Sequence, residues 1–187
     1  MVSQLKVNEI IKQSGSSITI GEDGDSITFP STGTASGIFT NTPIALGYQS
    51  SDQSLTKASS NRIINWTTTL DTDSAFDTST SRFTVPTNKA GKYFINWQLA
   101  FDGDSSGNTG YDLNRCQIFV NGAETLRTDY VREPQIPYGG FPQGGVLNLS
   151  ASDYVEFFFY PDRGGGTAGN TMGESVNTWF QIFRLSA

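Results

Sequence analysis

The sequence contains no histidine and only one cysteine among its 187 residues. The missing histidine removes the commonest general base and the commonest zinc ligand, and a single cysteine excludes an internal disulfide or a thiolate metal cage. The chain also lacks the nucleophile-elbow, phosphate-loop and dinucleotide-binding motifs, and its Gly-Gly-Gly run at 164–166 lies in a polar segment. We therefore expect a protein that is not an enzyme and that needs no cofactor.

Charge is scarce, and basic charge is scarcer than acidic charge. Charged residues are 16% of the chain and the formal net charge is −6. Without a Lys/Arg run to displace counterions from phosphates, nucleic acid is excluded as a partner. No apolar run approaches the roughly 20 residues that span a bilayer, so we expect no membrane insertion. The N-terminus lacks the apolar core of a signal peptide, which predicts folding in a cytoplasm.

Carboxylates are the remaining source of site chemistry. The sets Asp71/Asp73/Asp77 and Asp102/Asp104 could serve glycoside hydrolysis, but carboxylates in Thr/Ser/Gly-rich segments are usually solvated turn formers. Oxygen ligands also alternate along one segment, which makes calcium a weak candidate against an Asx-rich turn as the alternative. The calcium candidates are Asp102, Asp104 and Asn108.

What the sequence has is short alternating runs between polar turns. In residues 92–101, for example, Tyr93, Ile95 and Trp97 alternate with more polar neighbours. Lone Cys116 lies in another such run and is expected to be a small buried hydrophobe. The predicted strands are 44–48, 62–70, 81–85, 92–101, 116–120, 125–130, 145–149, 154–160 and 178–185. This pattern predicts an all-β jelly-roll sandwich.

Residues 1–37 differ from the head predicted over 38–187. Two short runs around an Asp-Gly turn predict a hairpin, which is marginal alone, and the segment is too small for its own core. We expect an anchoring arm that docks on neighbouring copies or on a larger assembly; the alternative is a tail without fixed structure. The arm's apolar residues are Leu5, Val7, Ile10, Ile11, Ile18, Ile20, Ile27 and Phe29.

Several motifs of residues 40–187 resemble the globular head of complement component one q, a trimeric module related to the tumour necrosis factor fold. They are the Phe-Thr-Val-Pro of 83–86 with the Gly-Lys-Tyr-Phe of 91–94, the Asn-Gly of 121–122, the hairpin at 146–157, and the closing strand at 178–185. Ser152 and Gln181 stand where that family usually has glycine. The resemblance implies a homotrimeric jelly roll. Some members of that family bind calcium, but no residue match carries this over.

The residues themselves also favour self-association. The run 154–160 is apolar on both faces, as is 178–185, and a sandwich sheet needs only one face for its core. A second apolar face implies cover by another subunit, unless loops of the same chain cover it. The predicted trimer interface is Phe158, Tyr160, Phe180 and Ile182.

Two segments are candidates for ligand contacts. Residues 129–142 contain three prolines and several aromatic groups that could stack on a sugar or a protein, whereas 162–172 is glycine-rich. The alternative for the aromatic groups is packing over the end of the sandwich or between subunits. The candidate ligand residues are Tyr130, Arg132, Tyr138, Phe141 and Arg163.

The leading hypothesis is a bacteriophage structural protein on the virion surface, because the arm from Ser3 to Ile10 resembles N-terminal segments of phage structural proteins. In this hypothesis a trimeric capsid decoration or short surface spike docks on capsid or tail proteins through residues 1–37. One alternative is the receptor-binding tip of a tail fibre that recognises host surface glycan. Another is a free lectin-like protein.

Overall fold

The computed structural model describes residues 42–102, 112–132, 138–162 and 169–186. These residues form β-strands and no helix, so the described part offers no helical membrane span. The strands are β1 (Ile44–Gln49), β2 (Asn61–Arg62), β3 (Trp66–Asp71), β4 (Phe76–Asp77), β5 (Arg82–Thr84), β6 (Gly91–Asp102), β7 (Asp112–Val120), β8 (Ala123–Arg132), β9 (Tyr138–Leu149), β10 (Tyr154–Asp162), β11 (Asn170–Thr171) and β12 (Trp179–Ser186).

Two antiparallel sheets contain these strands. In the β6 sheet, β9 pairs with one edge of β6, while β12 and β11 pair with the other; β1 and β3 follow beyond β12. In the β10 sheet, β7 and then β8 lie on one side of β10, and β5, β4 and β2 lie on the other. Neighbouring strands in each sheet are mostly distant in sequence, which confirms the predicted all-β jelly-roll sandwich.

The core lies between the sheets and is mainly aromatic. On β6 the five residues Tyr93, Ile95, Trp97, Leu99 and Phe101 are each 0% exposed, as the alternation predicted. Opposite them are Val155, Phe157 and Phe159 of β10, also fully buried. The Trp97 and Phe157 ring centroids are 5.1 Å apart, and those of Phe101 and Phe159 are 5.3 Å apart. Burial of these large side chains is the main stabilising term of such a fold.

The predicted strand 62–70 is two strands that belong to different sheets. Asn65 has a left-handed backbone (φ 65°) and separates β2, in the β10 sheet, from β3, in the β6 sheet. Trp66 then turns into the core and its Nε1–H donates to the Ile63 carbonyl at 2.9 Å. The prediction of one strand over 62–70 is wrong: Ile63 and Trp66 are both buried in the same core, but the strands on either side of Asn65 belong to different sheets.

Strand β9 begins seven residues earlier than the predicted start at 145. Glycines and Pro142 argued against a strand there. However, β6 is the only partner that β9 has in the described residues, so β9 is an edge strand and tolerates a proline. Gly144 permits close packing, since an added Cβ would lie 3.0 Å from the Ile95 carbonyl oxygen.

Two tight turns contain residues with a left-handed backbone conformation. Asn121 and Gly122 both have positive φ (53° and 78°), which suits a two-residue hairpin between β7 and β8. Ser152 adopts φ 72° before β10, a conformation that normally favours glycine. The departure from the family pattern at Ser152 therefore leaves the turn intact but places a side chain in a less favoured backbone region.

Candidate functional site

The outer face of the β10 sheet is covered by its own polar side chains. The Glu156 side chain is only 4% exposed, and its Oε1 accepts from Arg62 Nη1 and from Arg82 Nε, both at 3.0 Å. The Arg82 guanidinium also lies 4.3 Å from the centre of the Tyr154 ring. These contacts hold two arginine side chains flat against the sheet, and the Glu156 hydrogen bond raises the pKa of Arg82 further above its ordinary value.

The same face contains two of the predicted interface residues. Phe158 packs on Phe119 with ring centroids 4.2 Å apart, and Arg115 covers Tyr160 at 4.6 Å from the ring centre. Arg115 Nε in turn lies 3.4 Å from Asp129 Oδ1. Phe158 and Tyr160 are therefore half-buried by groups of their own chain and do not form an open apolar surface. These contacts reduce the apolar surface that Phe158 and Tyr160 offer to another subunit, and their place in a trimer interface stays a prediction.

The outer face of the β6 sheet is different. Four apolar residues lie side by side across four strands, because Ile44 pairs with Phe183, Phe183 with Phe94, and Phe94 with Val146. Phe94 is 36% exposed and Val146 is 55% exposed. We call these four residues the apolar row. No partner within the described residues covers it, and contiguous apolar surface of this kind marks interaction sites.

Neutral side chains occupy the middle of this face. The next row along the strands pairs Leu46 with Gln181 and Gln181 with Asn96, and Leu46 also pairs with the 43%-exposed Leu70. The row after that pairs Tyr48 with Trp179. The middle rows hold no charged residue, so a partner docking there meets no unpaired charge.

Two cavities open on this side of the molecule. One of about 270 Å³ lies between β1, β3 and β12 and is lined by Tyr48, Trp179 and Gln181 among others. The second, of about 440 Å³, is lined by residues that include Gln98 and Gly140. The outer face of the β6 sheet thus combines exposed apolar groups, amides and concave surface, and it is the best candidate functional site in the described chain.

Comparison with known proteins identifies the fold. No protein-family model and no curated protein sequence matches the chain. Among solved structures, the globular domain of zebrafish complement 1qA protein is similar, with a TM-score of 0.55 and 14% identity over 77% of this chain and 97% of that one. Murine APRIL is similar at a TM-score of 0.54 and 14% identity, covering 76% of this chain and 98% of that chain. The fold is the complement/tumour-necrosis-factor-like jelly roll. At such identity the similarity concerns the fold alone.

The assignment of Phe180 and Ile182 to the trimer interface is wrong. Phe180 is 1% exposed and Ile182 is 0% exposed, and both belong to the core of one chain. Phe180 stacks on Phe76 at a centroid distance of 4.5 Å. The alternation along β12 was recognised, but its two faces were exchanged. The outward apolar residues of this strand are Trp179, Phe183 and Leu185.

In the predicted ligand segment at 129–142, the described residues 129–132 and 138–142 belong to strands β8 and β9. Phe141 is 5% exposed, lies in the core and packs edge-on against Tyr130 at 5.2 Å, so it is not a ligand contact. The Tyr130 hydroxyl donates to the Pro142 carbonyl, and burial raises its pKa. Arg132 and Tyr138 belong to β8 and β9, but their side chains lie outside the described part, as does Arg163. The packing alternative fits Phe141.

Other predicted sites lie wholly or partly outside the described residues. The arm residues from Leu5 to Phe29 and the boundary at residue 37 are among them, so the arm stays a prediction. Of the calcium candidates only Asp102 is described, and Asp104 and Asn108 are not. Within the described ranges, no three His, Cys, Asp or Glu residues are grouped to hold a metal ion.

Cys116 has the predicted structural role. It is 0% exposed, burial raises the pKa of its thiol well above the ordinary value, and its Sγ donates to the Phe141 carbonyl at 3.3 Å. A thiol held in the neutral form inside the core is a poor nucleophile. It acts as a small apolar group.

Proposed function

We propose that this chain is a non-enzymatic subunit that associates into a homotrimer through the outer face of the β6 sheet and serves as a phage capsid decoration or short surface spike. The observation that carries self-association is the apolar row, which crosses four strands of a sheet whose other face already packs on the core. The number of copies comes from the resemblance to the trimeric complement head.

The exposed parts of the row are large enough to contribute to association. Complete burial of a Val or Phe side chain is worth about 1.5–3 kcal/mol. The exposed fractions of Phe94 (36%) and Val146 (55%) therefore correspond to roughly 1.5–2.5 kcal/mol per chain. Each copy in the assembly gains this free energy of burial, which offsets part of the entropy lost on association.

In this proposal residues 1–37 attach the trimer to other virion proteins at the particle surface. The arm carries apolar residues, among them Ile18 and Ile20, without enough mass to bury them. Docking on the particle would cover them by strand addition, and three linked arms would raise their effective concentration. Deleting residues 2–30 should abolish particle attachment and leave a soluble trimer.

Matched lysine substitutions test the face used for self-association. Phe94→Lys and Val146→Lys place a charge in the apolar row, whereas Val131→Lys places one at a 71%-exposed position on the other sheet. Burying an unpaired ammonium costs several kcal/mol, so the first two variants should be monomers by light scattering at micromolar concentration. Val131→Lys should remain trimeric. Three variants with the same mass as the wild type would contradict the proposed contact.

Immunogold microscopy tests where on the particle this protein lies. It uses antibody against residues 38–187 on suspected virions. Label over the shell supports decoration. Label at tail ends would support the alternative of a tail-fibre tip that recognises host glycan. Virions without label would favour a free protein.

A further inference from the structure

The groove beside Trp179 is a site distinct in chemistry from the apolar row. It is the cavity of about 270 Å³ that opens where β1, β3 and β12 meet. We infer that this groove binds one unit of a neutral saccharide, with Tyr48 and Trp179 contacting the sugar ring and Gln181 bonding its hydroxyl groups. The site goes beyond the proposed function, because each chain has a complete groove whether or not it associates.

A β-bulge forms one wall of the groove. Leu46 pairs with Leu70 and Gly47 pairs with Thr68, so Thr69 is left without a cross-strand partner. The Thr69 hydroxyl donates to the Leu46 carbonyl at 3.3 Å. Bulges redirect side chains and are frequent beside functional sites. Here the bulge brings a hydroxyl group to the rim of the cavity.

Apart from the Thr69 hydroxyl, the polar side chains that line the groove have no hydrogen-bond partner in the described residues. Within the described part of the chain, the Tyr48 hydroxyl, the Trp179 Nε1–H and the Gln181 amide have no hydrogen-bond partner, and neither has the Ser175 hydroxyl. The set includes both donors and acceptors, since indole nitrogen only donates whereas an amide does both. An apolar occupant would remove water from these groups without replacing its hydrogen bonds, at a cost of about 1–3 kcal/mol each.

The charge and the volume of the groove further restrict the class of ligand that fits it. No acidic or basic side chain lines the groove, so neither an anionic nor a cationic ligand would find its counter-charge. The volume lies just below the roughly 300–1,000 Å³ of pockets that enclose drug-sized molecules. A pyranose ring meets these limits because it has an apolar C–H face for an aromatic side chain and hydroxyl groups that donate and accept around its edge.

The groove and the apolar row are separated along the strands. Tyr48 lies four residues from Ile44 on β1, which is roughly 13 Å at about 3.3 Å per residue, whereas Leu46 lies two residues away, roughly 7 Å. Both sites can be occupied at once when the subunit contact is confined to the apolar row and leaves the row of Tyr48 and Trp179 open. A single small groove should bind weakly, with millimolar affinity, and several grooves in one assembly should bind a surface polymer much more tightly.

The test uses an array of neutral oligosaccharides of mannose, glucose and galactose, followed by calorimetry of the full chain with the sugar that binds best. Trp179→Ala and Gln181→Ala should each weaken binding at least tenfold. Trp179→Phe, which keeps a ring but loses the indole N–H, should weaken it less. Tyr160→Ala removes an aromatic group from the other sheet and should leave sugar binding unchanged.

Three results would overturn the inference. They are a wild-type chain that binds no neutral sugar at millimolar concentration, full binding by the folded Gln181→Ala variant, and loss of self-association in Trp179→Ala, which would place the groove inside the subunit contact. Light scattering on the same samples separates the two proposals. A monomer that binds sugar contradicts only the trimer, and a trimer that binds none contradicts only the groove.

Discussion

Replacing Phe180 with alanine should destabilise the fold of each chain rather than separate its subunits. The side chain is 1% exposed, and its ring lies 4.5 Å from Phe76, 5.2 Å from Trp66 and 5.5 Å from Phe157, measured between centroids. Phe→Ala changes at such sites cost about 3–5 kcal/mol through lost burial and the cavity left behind. Since domains are stable by about 5–15 kcal/mol in total, this is a large fraction of the stability.

Phe183→Ala is the matched control, because Phe183 is the same residue type on the same strand but faces outward in the apolar row. Urea unfolding followed by near-ultraviolet circular dichroism should show a large loss of unfolding free energy for Phe180→Ala at every protein concentration. Phe183→Ala should instead lower stability mainly at concentrations where the wild type is associated. Equal stability of Phe180→Ala and the wild type, together with a loss of association, would refute the placement of Phe180 in the core.

Three further predictions concern the folded chain. Gly47→Ala should destabilise it by about 1–3 kcal/mol in urea unfolding, because the added Cβ would lie 2.5 Å from the Phe180 ring; an unchanged midpoint would contradict this packing. Ser152→Gly should raise stability by about 0.5–1 kcal/mol, since it removes a side chain from φ 72°, and a lower melting temperature would count against it. Hydrogen bonds to Asp77, of which that from the Ser79 hydroxyl has the largest effect, lower the pKa of this carboxyl from 3.8 to about 2. The contribution of Asp77 to the stability of the fold is therefore present above pH 3.8 and is lost as pH falls to 2. Asp77→Asn should remove this part of the loss of stability in acid. A variant whose stability depends on pH as that of the wild type does would contradict the role given to Asp77.

The strands whose two faces differ strongly were predictable. β6 has large apolar residues at every second position over 92–101, and all five of those side chains are buried. On β12 both faces are apolar, so alternation alone could not decide which of them faces the core. Only the pairing of β12 with β6 and β1 fixes Phe180 inside and Phe183 outside.

The candidate site was less predictable because it is built from four strands distant in sequence. Ile44, Phe94, Val146 and Phe183 become neighbours only through three strand registers, none of which a single sequence determines. The ligand prediction at Phe141 failed for a related reason. Glycine and proline around it indicated a loop, but they are tolerated in the edge strand β9.

Sedimentation equilibrium of the full chain tests the central claim most directly. Over nanomolar to micromolar concentrations, the account predicts a mass three times that of one chain, which falls towards the monomer on dilution. The Phe94→Lys variant should sediment as one chain throughout. A wild-type chain that stays monomeric at micromolar concentration would show that the apolar row of the β6 sheet does not hold copies together.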